Sequence, residues 1–315
     1  MSRASAPAKA ILVGEHFVVA GCPAIAVAVD VRARAEARLL AEEGVVEVSS
    51  RELGSGTFGA QADPRSPLYP VYAAARAVLA RAHLNLGLEV RVESDIPPGA
   101  GMGSSAAVAV ATVAATLLGL RLSLEEVSSL AYEAEVVVHG RPSGIDNTVS
   151  TYGGAIYYRR GEGFVRLEAD LEPVRIVLAD SGIPRSTGEM VSKVLALKSR
   201  HQGVVDRIYD AAARLVEAAR DAIERGDYET LGELMNINHG LLSALGVSNA
   251  KLEELVYAAR AAGALGAKIT GAGGGGMVLA LAWKEDAEEV ARALAKVSGR
   301  VILAPISSEG VRGEG

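Results

Sequence analysis

At 315 residues the chain is long enough for two modest domains or one large one. With 50% hydrophobic and 22% charged residues it has the composition of a globular protein with ample core material, which excludes a disordered chain. A formal net charge of -6 argues against a bulk nucleic-acid-binding surface, and the lone cysteine, Cys22, excludes an internal disulfide and a multi-cysteine zinc site.

Aromatic residues are only 4%, so the core is built from Ala, Val, Leu and Ile, and the 35 glycines concentrate in two loops. Val18-Val19-Ala20-Gly21-Cys22 has the outline of a lipoprotein cleavage box, but Glu15 and His16 interrupt the apolar run a signal peptide needs. Ala106–Leu120 is nearly all apolar yet shorter than the roughly 20 residues of a membrane span. These features predict a soluble cytoplasmic protein with no membrane and no nucleic-acid partner, and the single thiol fits a reducing compartment.

In chain order, Ala10–Val13 reads as a short strand, with Lys9 just before it and Gly14-Glu15-His16 just after. Ala24–Val31 runs apolar and continues into the alternation of Arg32–Arg38, a half-exposed strand. Val45–Ser49 is a further strand, residues 54–59 a Gly/Ser-rich loop, Pro70–His83 a helix and Leu86–Glu93 an alternating strand. A glycine-rich loop and the apolar helix to Leu120 follow. Ser123, with Glu126 three residues on, is a capping box opening a helix through Glu133, Glu135 and His139, which Gly140-Arg141-Pro142-Ser143-Gly144 stops. Ala155–Arg159 and Phe164–Leu167 form a hairpin. Near residue 170 the periodicity lapses. Beyond it the pattern is β-α-α-α-α-β-β-α-β, with strands at Val174–Leu178, Lys268–Thr270, Met277–Trp283 and Val301–Ile306 and helices at Thr187–Ser199, Val204–Arg225, Tyr228–Ala244, Ser248–Ala262 and Glu285–Val297. The expected division is one domain over 1–170 and a second over 171–315.

The chain is organised around Pro97-Pro98-Gly99-Ala100-Gly101-Met102-Gly103-Ser104-Ser105-Ala106-Ala107. Glycines at alternate positions let the backbone turn sharply and bring its N–H groups close to a ligand. The first turn of the helix adds unpaired N–H groups and the positive end of its dipole, which together suit an anion such as phosphate. Ser104 or Ser105 is a natural N-cap, and a hydroxyl there can also reach a metal ion. A plain turn before a core helix is the competing reading. The stretch matches neither the Gly-Lys-Ser/Thr phosphate loop nor the dinucleotide fingerprint.

Three further groupings carry chemistry. Lys9 with Glu15 and His16, taken alone, is an ordinary solvated set. Glu135 and Asp146 meet only if the chain turns back at 140–144; two carboxylates beside a phosphate loop would then suit Mg²⁺ binding by one and proton acceptance by the other. Gly271-Ala272-Gly273-Gly274-Gly275-Gly276 holds five glycines in six positions, more than a hairpin needs. The excess points to a close backbone approach to a ligand or to the other glycine loop, with a flexible hairpin as the alternative. Arg185 and Thr187, alone, are an ordinary cap region.

Together these pieces resemble the GHMP kinase superfamily, whose three motifs stand here as Pro7-Ala8-Lys9, Pro97–Ser105 and Lys268–Gly276, with Met102 at a position where Leu is common. Within it the chain is similar to the mevalonate kinase family at Lys9–His16, at His139–Asn147 (Arg141 replacing the usual Asn), at Ser150–Gly154, at Ile183–Thr187 and at Asn238–Ser248. The resemblance implies a two-domain α/β (α+β) fold: an N-terminal domain with a left-handed β-α-β unit, a ferredoxin-like C-terminal domain, and an active site in the cleft between them. It implies an ATP- and Mg²⁺-dependent kinase that phosphorylates the C5 hydroxyl of mevalonate in isoprenoid biosynthesis, expected as a homodimer. The 97–107 loop would cradle the ATP phosphates, Ser105 and Glu135 would hold Mg²⁺, and Asp146 would accept the hydroxyl proton with Lys9 beside it. Glu15, His16, Arg185 and Thr187 would contact mevalonate. Another GHMP kinase, for phosphomevalonate or homoserine, and a catalytically silent nucleotide sensor are the alternatives; Lys9, Glu135 and Asp146, which a silent relative would be expected to have lost, are all present.

Overall fold

The computed structural model describes residues 1–314 except 60–61, 98, 118–121, 140–141 and 185. Its first part runs β1 (Ser2–Val13), a 3-10 turn (Phe17–Ala20), β2 (Ala24–Leu40), β3 (Val46–Ser50), β4 (Gly54–Phe58), α1 (Tyr69–Arg81), β5 (Gly87–Ser94), α2 (Ser104–Thr116), α3 (Leu124–His139), α4 (Ile145–Tyr152), β6 (Ala155–Arg159) and β7 (Gly163–Leu167). The second part runs β8 (Val174–Asp180), α5 (Thr187–Arg200), α6 (Gln202–Glu224), α7 (Tyr228–Ala244), α8 (Ala250–Ala261), β9 (Gly266–Ile269), β10 (Met277–Trp283), α9 (Ala287–Ala295), β11 (Val301–Pro305) and β12 (Arg312–Glu314).

Among the described residues the strands form two sheets. The first has the order β12-β1-β2-β5-β3-β4, with β6 and β7 attached beside β2. Its parallel pair, β3 and β5, is bridged by β4 and α1. The second is β11-β8-β10-β9, antiparallel throughout, which is the strand order of a ferredoxin-like domain. No helix among the described residues is long and apolar enough to cross a membrane.

The apolar helix α2 lies on β1 and β2. Ala4, Ala6, Ala8, Ala10, Ala26, Ala28, Ala33 and Ala35 are all buried on these strands, and Ala106, Ala107, Ala109, Ala111 and Ala115 are buried on the helix. Small side chains allow helix and sheet to approach closely, and burial of this apolar surface drives their association. The register between β1 and β2 shifts opposite Pro7 and Ala8, where β2 carries the extra residues Asp30 and Val31, and again between Ile11 and Val13, where β1 carries the extra Leu12. A bulge re-aims the side chains next to it, and the first of these lies on β2 opposite the Pro7–Ala8 step, just ahead of the Lys9–Ala28 pair.

Four features go beyond the expected elements. β1 begins at Ser2, well before Ala10, so Lys9 lies inside a strand. The Ser/Ala/Pro run ahead of Lys9 has weak intrinsic strand preference and is held by pairing with β2 on one side and β12 on the other. Residues 54–58 form a strand because β3 pairs with them, and Phe58 lies over Gly56. Asp146 sits in the first turn of a helix, α4. Finally, β12 returns to the first sheet, so the chain crosses the expected division near residue 170 a second time.

That return is tightly fitted. Ser307 N–H donates to the Ala28 carbonyl at 2.8 Å, Gly154 N–H to Ser307 at 2.8 Å and Val311 N–H to Thr151 at 3.1 Å. The buried Arg32 donates to the Gly310 carbonyl at 2.6 Å. A Cβ on Gly310 would overlap the Thr151 carbonyl oxygen, at the end of α4. Gly310→Ala is therefore expected to destabilise the protein by about 1–3 kcal/mol, the range for forced overpacking. Gly299→Ala, at a glycine with open space around it, is expected to change stability by less than about 0.5 kcal/mol. Chemical denaturation midpoints check both, and equal midpoints would mean the segment yields freely.

Candidate active site

The loop before α2 takes its shape from its glycines. Gly99, Gly101 and Gly103 have φ of 70°, 73° and 69°, the left-handed region that glycine enters without a Cβ penalty. Gly103 itself is the N-cap of α2, and no side chain caps the helix. Ser104 and Ser105 are thus the first helical residues, in place of the expected capping serine. The left-handed glycine turns the chain into the helix and leaves the first-turn N–H groups without a side-chain cap, the arrangement that receives an anion. Pro98, within this loop, lies outside the described residues.

Beneath the loop the first strand and α4 bring two charges together. Lys9 Nζ lies 3.2 Å from Asp146 Oδ1; the lysine side chain is 6% exposed and the aspartate 34%. Lys9 N–H donates to the Met102 carbonyl at 2.8 Å, fixing strand to loop. A Cβ on Gly103 would stand 3.0 Å from Lys9 Cγ and 3.4 Å from Asp146 Oδ2, so the loop crosses directly over the pair. The buried lysine orients the carboxylate, and the carboxylate keeps an accessible face.

In the first turn of α2, the Ser105 hydroxyl donates to Glu135 Oε1 on α3. The capping box that starts α3 forms as read: Glu126 N–H donates to Ser123 Oγ at 3.2 Å and Ser123 N–H to Glu126 Oε2 at 3.0 Å. Ser105 and Glu135 make an oxygen-only pair at the mouth of the glycine loop. One carboxylate and one hydroxyl suit a hard divalent cation that takes its remaining ligands from waters and phosphate oxygens. Among the described residues no group of three or more His, Cys, Asp or Glu side chains could hold a metal unaided.

Glu15 and His16 go elsewhere. The Glu15 carboxylate is buried and ion-paired with Lys268 on β9. Its second oxygen accepts from Asn238 Nδ2 on α7 at 3.1 Å, and Asn238 Oδ1 accepts from Gly14 N–H at 3.2 Å. His16 has a φ of 59°, a strained conformation for a residue with a side chain. Its Nε2 is 2.7 Å from the Ala272 carbonyl, which fixes that nitrogen as the N–H donor. Burial pushes the His16 imidazole below the ordinary histidine range, against the pull of that carbonyl and of Glu15.

Ala272 belongs to the second glycine cluster, between β9 and β10. Gly271, Gly273, Gly274 and Gly276 all have positive φ. A Cβ on Gly273 would overlap the Val247 carbonyl, one on Gly274 would press on Met190 Sδ, and one on Gly275 would overlap the Ile183 carbonyl. Gly273, Gly274 and Gly275 thus press on neighbouring segments of the second half, not on the first glycine loop. Thr187 is the exposed first residue of α5, whose N-cap is Ser186. Arg185 and Arg141 lie outside the described residues.

The structure thus gathers Lys9, Gly103 and Asp146 at one point and Ser105 and Glu135 at another. The residues that composition and spacing did not single out are Lys268 and Asn238. A lysine between Ala267 and Ile269 on an otherwise apolar strand was the available signal, but its partner lies far away in the chain.

Comparison with known proteins agrees with this architecture. The family model described as GHMP kinases N terminal domain matches residues 70–154, and that described as GHMP kinases C terminal matches 219–298. The mevalonate kinase of Pyrococcus furiosus is 45% identical over 98% of this chain and 97% of its own length. That of Aeropyrum pernix is 42% identical over 99% and 98%. Among solved structures, L. major mevalonate kinase in complex with R-mevalonate superposes with a TM-score of 0.82 at 31% identity, covering 97% of this chain and 96% of that one. Methanococcus jannaschii mevalonate kinase gives 0.86 at 26% identity, covering 96% and 98%.

Proposed function

The chain belongs to the mevalonate kinases of the GHMP kinase family, and we propose that it transfers the γ-phosphoryl group of ATP to the C5 hydroxyl of mevalonate. The observation that carries the reading is the Lys9–Asp146 pair, its lysine buried and its carboxylate partly open to solvent, directly under the glycine loop.

Each residue has a part that its position supports. The loop over 97–107 and the first turn of α2 bind the phosphates through backbone N–H groups. Phosphoryl transfer calls for positioning and charge neutralisation more than covalent chemistry. Asp146 receives the proton of the C5 hydroxyl as that oxygen bonds to the γ-phosphorus; the bond from phosphorus to the bridging oxygen breaks, and ADP leaves. Lys9 holds Asp146 in place and supplies positive charge beside the transferring group. Ser105 and Glu135 are the residues that would hold Mg²⁺, which when bound neutralises phosphate charge. His16, pinned to Ala272 in the second glycine cluster, and Thr187, at the start of α5, are assigned to the acceptor in this reading. The two domains divide near residue 170, with the cleft between the sheets as the site. The proposed setting is the cytoplasm, which the single free thiol of Cys22 suits.

The test is ADP release with ATP and Mg²⁺ and separate offers of mevalonate, phosphomevalonate, homoserine and galactose. Turnover on mevalonate alone is expected. Turnover on another acceptor would keep the kinase and overturn the substrate, and nucleotide binding without any turnover would favour a sensor.

A further inference from the structure

Glu15, Lys268 and Asn238 form a closed set that the phosphoryl-transfer reading does not use. Lys268 is fully buried and Glu15 is 1% exposed. The ammonium has three N–H donors and three acceptors: the Glu15 carboxylate, the Ile11 carbonyl at 3.3 Å and the Ile269 carbonyl at 2.5 Å. Both Glu15 oxygens are engaged, one by Lys268 and one by Asn238. Asn238 closes the ring by accepting from Gly14 N–H. A carboxylate this enclosed presents no surface to a ligand.

The set spans the two sheets. Ile11 and Glu15 belong to the strand that carries Lys9 and to the turn after it, whereas Lys268 and Asn238 belong to β9 and α7. The next residue after Glu15 is His16, held on the second glycine cluster. We propose that Lys268 is a positioning residue, and that its bond to Glu15 latches the Gly14–His16 turn to the second sheet. The latch keeps Lys9 and His16 in fixed relation to the second glycine cluster, so Glu15 acts through its neighbours and does not touch the acceptor. The pair also matters for charge. Lys9 repels Lys268 electrostatically, and the Glu15 carboxylate offsets a second buried cation close to the Lys9–Asp146 pair. The proposal rests on the kinase reading for its kinetic readout alone.

The experiment is a double-mutant cycle on the full chain: Glu15→Gln, Lys268→Met and the two combined, with circular dichroism, thermal midpoints, kcat and the KM for mevalonate and for ATP. Removing one member of a buried pair strands the other's charge, whereas removing both does not. Gln also keeps an acceptor for Asn238. Each single variant is expected to lower the midpoint and, where it stays folded, to lower kcat by about tenfold or more with an unchanged KM for ATP. The double variant is expected to recover both quantities, with kcat within about threefold of the parent. If a single variant fails to fold, recovery of folding in the double variant reads the same coupling. A rise in the mevalonate KM in Glu15→Gln that persists in the double variant would overturn the latch, because it would place Glu15 on the acceptor. A double variant no better than the worse single would overturn it too. Absence of turnover by the parent would count against the kinase reading, leaving the thermal cycle to decide the latch.

Discussion

Asp146→Asn is expected to lower turnover on mevalonate by about 10³-fold or more while ATP binding stays at the parent's level, on the scale seen when a catalytic carboxylate is lost. The substitution is nearly isosteric. Its amide oxygen still accepts from Lys9, which stands 3.2 Å from the carboxylate in the parent, so the arrangement under the loop persists. What disappears is the ability to take a proton. The phosphate-binding groups are backbone N–H groups of the loop and of the first turn of α2, and nothing in the change alters them. Single-turnover ADP release and calorimetric nucleotide titration separate the two effects. Turnover near the parent's would remove Asp146 from the role of base. Loss of nucleotide binding together with turnover would show that the carboxylate shapes the loop and does not serve the chemistry.

How far the chain could be read beforehand depended on whether a segment's state is set locally. In the second half the apolar periodicity is strong, and α7 and β10 have the read bounds, Tyr228–Ala244 and Met277–Trp283. The Ser123–Glu126 box was legible for the same reason, since its two hydrogen bonds join residues three apart. The start of β1 was not. Ser2–Lys9 carries small side chains and a proline, and only its neighbours β2 and β12 make it a strand. β4 was hidden by its glycines, and α4 by the Gly/Pro break before it. At the site, the motifs named Lys9 and Asp146 by resemblance, but no local pattern says that β1 and α4 bring the two together. Lys268 illustrates the limit most sharply. Its meaning lies in a partner at the other end of the chain, and a lysine in a strand signals only that some partner must exist, because a buried charge without one is costly.

The closeness of the loop to the Lys9–Asp146 pair leads to the second large effect. Gly103→Val is expected to lower kcat/KM by about 10²-fold or more, the scale of a misplacement near 1 Å at reacting groups. Two penalties act there. A β-branched residue at a φ of 69° is a conformational outlier, and its Cβ would lie 3.0 Å from Lys9 Cγ and 3.4 Å from Asp146 Oδ2, with two methyl groups beyond it. The first penalty can be measured separately. Gly226 also has a φ of 69°, but open space surrounds it, at the end of α6 and remote from the loop. Gly226→Val therefore bears the backbone strain of roughly 1–3 kcal/mol without the crowding. It is expected to lose stability and to keep the parent's kcat/KM at temperatures where it is folded. The difference in kcat/KM between the two variants isolates displacement of the pair. If Gly103→Val turned over as fast as Gly226→Val, the glycine would be needed only for its φ. The pair would then tolerate movement that in-line transfer does not allow, and Lys9 and Asp146 would have to be sought elsewhere in the mechanism.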